Sequence, residues 1–376
     1  MLLLSGPNIA GNEWKYVKEC LDTGWVSSVG AYVEKFEKMT SEFTGAKYAV
    51  ATSSGTTALH MCLVLNDIKS NDYVIAPNIT FVATINSIKY TGASPILMDI
   101  DEETWQMNLD LLEEFLENET STGNDGLVYK KDGRKIKAIM PVHVLGNMCD
   151  MDRLLHLAEK YKLLVIEDST EALGSYFKGK HAGTFGILGT FSYNGNKIIT
   201  TGGGGMIITD DETLAKRARH LTTQAKSDSF EYMHDEVGYN YRLVNTSAAM
   251  GVAQMELLPG FLLRKKEIIN YYKERLENLG DIGFQKVCKT VEPNWWMPTL
   301  MSGKQRNILK ILNENKMQSR PFWVPMNQLR MYAGDVYFNH ADVSGKVYQK
   351  CLSIPCSTNI SEAEMDGVCN KIKEVF

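Results

Sequence analysis

Between residues 45 and 210, short apolar runs alternate with amphipathic stretches, and no other feature restricts the fold as much. Residues 48–51, 73–76, 95–98, 138–142, 163–166 and 206–208 read as buried strands. Residues 56–65, 80–90, 109–116 and 151–161 carry apolar side chains at helical spacing. Strands alternating with helices imply βαβ units, and hence an α/β fold around a mostly parallel, doubly wound sheet. In such sheets ligands gather beyond the carboxyl ends of the strands, which is where the chemistry is to be sought.

Outside this stretch the texture differs. Residues 119–135 are polar, with Asn124-Asp125-Gly126 and Lys131-Asp132-Gly133 turn signals, and read as a surface hairpin before the strand at 138. Residues 262–279 have a helical apolar period and could join two domains. Beyond them Trp295-Trp296, a helix near 304–316 and a closing helix from 361 suit a smaller α/β unit. At 376 residues the chain can bury two cores. The expected division is a large domain over 1–250 and a small one over 251–376.

Several classes are excluded by composition. A formal net charge of -5 argues against a general nucleic-acid binder. No apolar run approaches the ~20 residues that span a bilayer, and the apolar run at Met1–Leu4 is too short for a signal peptide. The seven cysteines form no C-x-x-C pair and no Cys/His cluster of zinc-ligand spacing, so no metal site is expected. Reduced, mostly buried thiols in a cytoplasm are the reading they favour.

Three segments carry candidate chemistry. The first is Ser192-Tyr193-Asn194-Gly195-Asn196-Lys197, followed by four consecutive glycines at 202–205. Glycines lose more chain entropy than other residues, roughly 0.5–1 kcal/mol each relative to alanine, so the run suggests a backbone in unusual dihedrals beside something bulky. Lys197 could be an ordinary surface charge, but it lies in an apolar, hydroxyl-rich stretch. A free lysine is neutral in only about one in 10³ molecules near pH 7; a catalytic lysine escapes this by condensing with an aldehyde, as lysines do with pyridoxal phosphate (PLP). The second segment is Glu167-Asp168-Ser169-Thr170-Glu171, where an acid ends an apolar run. Asp168 could keep the PLP ring nitrogen protonated, or it could simply cap a helix. The third, Thr52-Ser53-Ser54-Gly55-Thr56-Thr57, is a strand-to-helix turn of small hydroxyl residues. It suits an anion such as a phosphate, though an ordinary capped helix start would look the same. Together the three provide a phosphate cup, a ring-nitrogen acid and a lysine.

With those motifs stand Gly24-Trp25-Val26-Ser27-Ser28, Pro77-Asn78-Ile79-Thr80-Phe81, Pro141-Val142-His143-Val144-Leu145-Gly146 and Gly238-Tyr239-Asn240-Tyr241-Arg242. From about Pro7 to the C-terminus the chain resembles the DegT/DnrJ/EryC1/StrS family of sugar-nucleotide aminotransferases, which have PLP fold type I. The resemblance implies that Lys197 is the Schiff-base lysine and proton carrier, and that Asp168 pairs with the ring nitrogen. Glu171 would lie near the ring's phenolic oxygen, where many relatives have Gln or His. It also implies that Phe81 stacks on the ring, and that Gly55, Thr56 and Ser192 hold the phosphate. Asn240 would reach the phosphate of a neighbouring subunit, so a homodimer with shared active sites is expected. Trp25, Ser27, His143 and Arg242 are candidates for sugar-nucleotide contact.

The amino donor that the resemblance implies is L-glutamate. The motifs look most like enzymes that aminate C4 of UDP-4-keto-6-deoxy-N-acetylglucosamine for surface glycans such as O-antigen. GDP-perosamine synthases are similar but commonly have an acid where Gly203 stands; dTDP-linked sugars are a further alternative. An amino-acid aminotransferase would need an arginine for a carboxylate, for which Arg320 or Arg330 could serve. Sugar dehydratase relatives replace the lysine with histidine, and a non-catalytic regulator should lack one of the PLP handles; neither departure is present.

Overall fold

The computed structural model describes residues 1–123, 126–228 and 230–376. Its centre is a ten-stranded sheet. The first seven strands in the chain are β1 (Tyr48–Thr52), β2 (Asp72–Pro77), β3 (Ser94–Met98), β4 (Thr120–Gly123), β5 (Gly126–Tyr129), β6 (Lys135–Ile139) and β7 (Leu164–Asp168). Leu188–Ser192, Gly205–Thr209 and Val336–Phe338 complete it. Across the sheet the order is β1, 205–209, 188–192, β7, β6, β2, β3, 336–338. All neighbours from 188–192 to 336–338 are parallel, whereas 205–209 runs antiparallel to both of its partners.

The apolar runs are continuous because both faces of the sheet are covered. Along β2, Tyr73 and Ile75 enter one core while Val74 and Ala76 enter the other. The helices of the large unit are α1 (Glu13–Thr23), α2 (Ala31–Thr44), α3 (Gly55–Leu65), α4 (Ala83–Tyr90), α5 (Leu109–Asn118), α6 (Met151–Lys160) and α7 (Glu212–Thr222). Leucines of α5 and α6 fill the core that Tyr73 and Ile75 enter; α3, α4 and α7 fill the opposite one.

The strand 188–192 leaves no continuous apolar run in the sequence, because Gly189 and the hydroxyls of Thr190 and Ser192 interrupt it. Gly189 is needed there: a Cβ would stand 2.1 Å from the carbonyl oxygen of Gly183. The helix expected over 80–90 begins only at Ala83. Thr80 and Thr84 share a hydroxyl contact of 2.7 Å, and the turn between them leaves Phe81 half exposed.

The 119–135 excursion is a hairpin of β4 and β5 that joins the sheet edgewise through Val128 and Lys135. Asn124 and Asp125 of its expected turn lie outside the described residues. At the second turn Gly133 takes a φ of +71°, which the left-handed region grants readily to glycine. Arg134 lies 3.9 Å from the centre of the Tyr73 ring, and the Tyr73 hydroxyl donates to Asp132 at 2.8 Å.

Position 250, the expected domain boundary, falls inside α8 (Asn245–Leu276), a 32-residue helix. A smaller antiparallel sheet follows, in the order 283–284, 299–301, 351–353, 320–321. It is accompanied by α9 (Gln305–Glu314) and α11 (Glu362–Lys373), close to the two helices expected from the sequence. Two segments link the two sheets. The strand 336–338 returns to the large sheet, and α10 (Val343–Lys350) begins on buried Asp99, whose carboxylate accepts from the N–H groups of Val343 and Ser344. In the other direction, residues 2–4 bond to the small unit: Leu2 exchanges bonds with Lys316 and Gln318, and the Leu4 carbonyl accepts from Cys356 at 2.7 Å. All seven cysteines are free thiols, and among the described residues no helix is long and apolar enough to cross a membrane.

Candidate active site

Three chain segments meet at the carboxyl end of the sheet. The register sets Asp168, the last residue of β7, beside Thr190, two residues before the end of the neighbouring strand. Opposite them α3 begins. Ser54 caps that helix by accepting from Thr57 N–H at 3.1 Å, and Thr57 returns the bond by accepting from Ser54 N–H at 3.0 Å. A cap of this kind leaves the N–H groups of the first helical residues, here Gly55 and Thr56, facing the cavity without helical partners. Gly55 has to be glycine, since a Cβ would stand 2.8 Å from Ser192 Cβ and 3.2 Å from Thr170. The result is a cup of amides and hydroxyls at a positive helix end.

The cup opens into a cavity of about 460 Å³. On its wall Asp168 is only 2 % exposed. One of its oxygens accepts from Thr84 Oγ1 at 2.7 Å, the other from Thr170 Oγ1 at 2.7 Å and Thr170 N at 3.2 Å. Strand alternation turns its neighbour the other way. Glu167 is buried beneath the site, accepting from the N–H groups of Gly183, Phe185 and Gly186 and meeting His143 Nε2 at 2.8 Å. Of two adjacent acids, one is therefore bound into the scaffold and one faces the cavity.

Lys197 sits in a clamped turn. Its N–H donates to Asn194 O, Tyr193 N–H to Gly204 O and Thr201 N–H to Tyr193 O. Of the glycine quartet, Gly202 takes a φ of +80°, and a Cβ on Gly205 would stand 2.3 Å from the Ser54 carbonyl oxygen. The quartet thus holds the lysine turn against the start of α3, while Gly203 has open space beside it. Burial lowers the Lys197 ammonium from its usual range, opposed by the charges of Glu171 and Asp168. Glu171 is pushed up to about 7 by burial, against the pull of Lys197 and of the Leu145 N–H that donates to it at 2.8 Å.

The cavity thus unites Gly55, Thr56, Phe81, Asp168, Glu171, Ser192 and Lys197. Five expected residues lie elsewhere. His143 is fully buried on Glu167, and Arg242 is ion-paired to Glu37 beneath β1, so neither side chain is free for a substrate in this protomer. Trp25, 59 % exposed, lines a separate groove with Asn245 and Tyr32. Ser27 is exposed, its carbonyl accepting from Asn245 N–H, and Asn240 is exposed at the surface. Conversely Trp296, Met297, Arg320, Phe322 and Trp323 close the cavity from the small unit. Of these, the sequence offers Arg320 alone, as a partner for a carboxylate. The others lack any local signal, because what brings them to the site is the packing of one unit on the other.

The sequence profile of the DegT/DnrJ/EryC1/StrS aminotransferase family matches residues 7–373. The chain belongs to that family. Among curated proteins it is 39% identical to GDP-perosamine synthase of Escherichia coli O157:H7 over 98% of this chain and 97% of that one. It is 37% identical to GDP-perosamine synthase of Caulobacter vibrioides over 99% and 98% of the two chains. The aminotransferase TlmJ of Streptoalloteichus hindustanus shares the fold with a TM-score of 0.90 at 23% identity, over 100% of this chain and 98% of that one. A Streptococcus pneumoniae relative, 26% identical over 99% of this chain and 97% of its own, is solved in its PLP form with a TM-score of 0.88. This DegT-family chain is an aminotransferase with PLP as its cofactor. The residues present fit that group: Gly55 lets the start of α3 lie against Ser192 and Thr170, where a Cβ would clash, so that amides and hydroxyls line a place suited to a phosphate, and Asp168 and Lys197 stand on the same cavity as an acid and an amine.

Glu171 supplies a pH-dependent test. Its folded-state value of about 7 exceeds the ordinary 4.5, so the folded apoprotein binds this proton more tightly than the unfolded chain. The stability that this proton confers is complete below about pH 4.5 and is lost as pH rises towards about 7. Measured against Glu171→Gln, which cannot titrate, wild-type stability should fall by on the order of 3 kcal/mol between pH 4.5 and 8. Denaturant melts of both apoproteins across that range check it; a constant gap would mean that Glu171 is ionised throughout.

Proposed function

We propose that this DegT-family enzyme moves an amino group from L-glutamate to C4 of a nucleotide-linked 4-keto-6-deoxy sugar. The observation that carries the reading is the convergence of Lys197, Asp168 and the Gly55–Thr56 cup on one cavity whose outer wall is aromatic. The amides of Gly55 and Thr56 with the Ser192 hydroxyl bind the cofactor phosphate. Asp168 holds a proton on the ring nitrogen, and the hydroxyls of Thr84 and Thr170 fix the orientation of its carboxylate. Bound PLP supplies the electron sink for the bonds broken at the donor carbon. Lys197 Nζ takes the proton from the glutamate Cα; in the second half-reaction it delivers one to C4 of the sugar. Phe322, Trp323 and Trp296 exclude water from the wall, and Arg320 offers a planar pair of donors for the glutamate carboxylate.

Trp25, Ser27 and Asn240 lie outside the cavity of their own protomer. That placement fits a homodimer in which Asn240 reaches the neighbour's phosphate and the 24–28 segment contacts its sugar nucleotide. Phe230 and Val237, 89 % and 83 % exposed, are the apolar surface such a contact would cover. Seven free thiols suit the reducing cytoplasm, where glutamate and activated sugars are available.

The relatives named as GDP-perosamine synthases favour a GDP-linked keto sugar. A second reading, the UDP-linked N-acetyl sugar, is favoured by Gly203, which lines the cavity with open space beside it where GDP enzymes commonly carry an acid. Purified enzyme with glutamate and GDP-, UDP- or dTDP-linked 4-keto-6-deoxy sugar, read by 2-oxoglutarate release and mass of the sugar product, separates them. Amination of the GDP sugar at least about ten-fold faster than the others is expected; turnover of none of the three would sink the sugar reading.

A further inference from the structure

Trp296 is 3 % exposed, and every polar group it owns is taken. Its backbone N–H donates to Asn294 Oδ1 at 2.9 Å, and Asn294 in turn donates to the Glu171 and Leu173 carbonyls behind the site. The Trp296 carbonyl accepts from Lys265 Nζ at 2.8 Å. Lys265 is a buried lysine of α8 that also donates to the Cys356 carbonyl at 2.7 Å and has no part in the chemistry above. The indole N–H donates to the Asn196 carbonyl at 2.8 Å, one residue before the lysine, where Ser5 Oγ donates as well. The ring so anchored lies beneath the lysine: Lys197 Nζ is 3.9 Å from its centre.

We infer that Trp296 is a positioning residue for Lys197, its indole face seating the amine whenever it is free of the cofactor and its N–H fixing the turn that carries it. An amine that shuttles a proton must be released and yet stay within reach. A fixed ring at van der Waals distance limits how far a four-carbon stem can wander, and it favours the charged form. Among the described residues the other ionisable side chains on the cavity wall are Asp168, Glu171 and Arg320. Burial, the largest effect, lowers the amine from its usual range and the two acids oppose it, so the ring adds to the side that the acids already take. The inference rests on the assignment of Lys197 as the PLP lysine.

The test is the pH dependence of PLP uptake by the apoprotein, followed by the visible absorbance of the bound cofactor, in wild type, Trp296→Phe, Trp296→Leu and Lys197→Ala. Only the neutral amine attacks an aldehyde. Removing the ring in Trp296→Leu should therefore move the midpoint down by about one pH unit, and Trp296→Phe, which keeps a smaller ring, by less. Wild-type protein gives an independent readout. After reductive ¹³C-methylation, the Lys197 methyl resonance, identified by its absence from Lys197→Arg, should lie upfield of other lysines because it sits over a ring. A wild-type midpoint in a folded Trp296→Leu, or a Lys197 resonance among those of ordinary lysines, overturns the role of Trp296. An unchanged absorbance in Lys197→Ala would instead overturn the lysine assignment, which keeps the two failures apart.

Discussion

Lys197→Ala should lose transamination by at least ~10³-fold and should bind PLP without the absorbance change that a covalent lysine gives. On the proposed mechanism two roles end together in this variant. The amine that captures the aldehyde is gone, and so is the base that moves the proton at the reacting carbon. Lys197→Arg separates charge from chemistry. It restores a cation near Glu171 and Asp168, yet a guanidinium is neither a nucleophile nor a base near neutral pH, so its activity should stay as low as that of alanine. Neither change should unfold the protein, because the turn is held by backbone bonds from Tyr193, Asn194 and Thr201 and by the Trp296 clasp on Asn196. Borohydride should fix PLP to wild type and to neither variant. Covalent fixation in Lys197→Ala would mean that another lysine does the work; among the described residues Lys197 is the one lysine that lines the cavity.

The parts of this enzyme that could be read from its residues are those in which local pattern and tertiary role coincide. Strands buried on both faces show as continuous apolar runs, which is why β2, β3 and β7 fall where the runs do. The lysine turn showed itself because Gly202 and Gly205 answer to backbone demands that only glycine meets. The strand 188–192 failed that test, since the residues that let it pass close to Gly183 and present Ser192 to the cup are not apolar. The long-range pairings are a second case. Strand 336–338 and residues 2–4 cross between the units, and pairing at such sequence distance leaves no local trace. Trp25, Ser27 and Asn240 are a third case: they lie outside the cavity of their own protomer, and the second chain that would bring them to a site is an expectation of the family resemblance.

Asp168→Asn should reduce the glutamate half-reaction by about 10²–10³-fold while leaving the melting temperature close to wild type. The side chain keeps its shape, so the cost is one of charge. Thr170 can still donate to the remaining oxygen, and the Thr84 hydroxyl can rotate to accept from the new amide where it now donates at 2.7 Å. What disappears is the anion. A carboxylate about 4 Å from a protonated ring nitrogen contributes roughly 4 kcal/mol at an effective dielectric near 20, or about three pKa units of that nitrogen. Without it the ring deprotonates near neutral pH and draws electrons from the donor carbon less well. Rapid-mixing of the PLP-loaded variant with glutamate isolates this step from sugar binding. Asp168→Glu provides a second reading: it keeps the charge but pushes a methylene into a site that two threonines already enclose, so it should recover the ring's protonation and lose rate through misplacement. A rate for Asp168→Asn within about ten-fold of wild type would place the partner of the ring nitrogen elsewhere. Glu171, the other acid on the same wall, would then be the group to replace next.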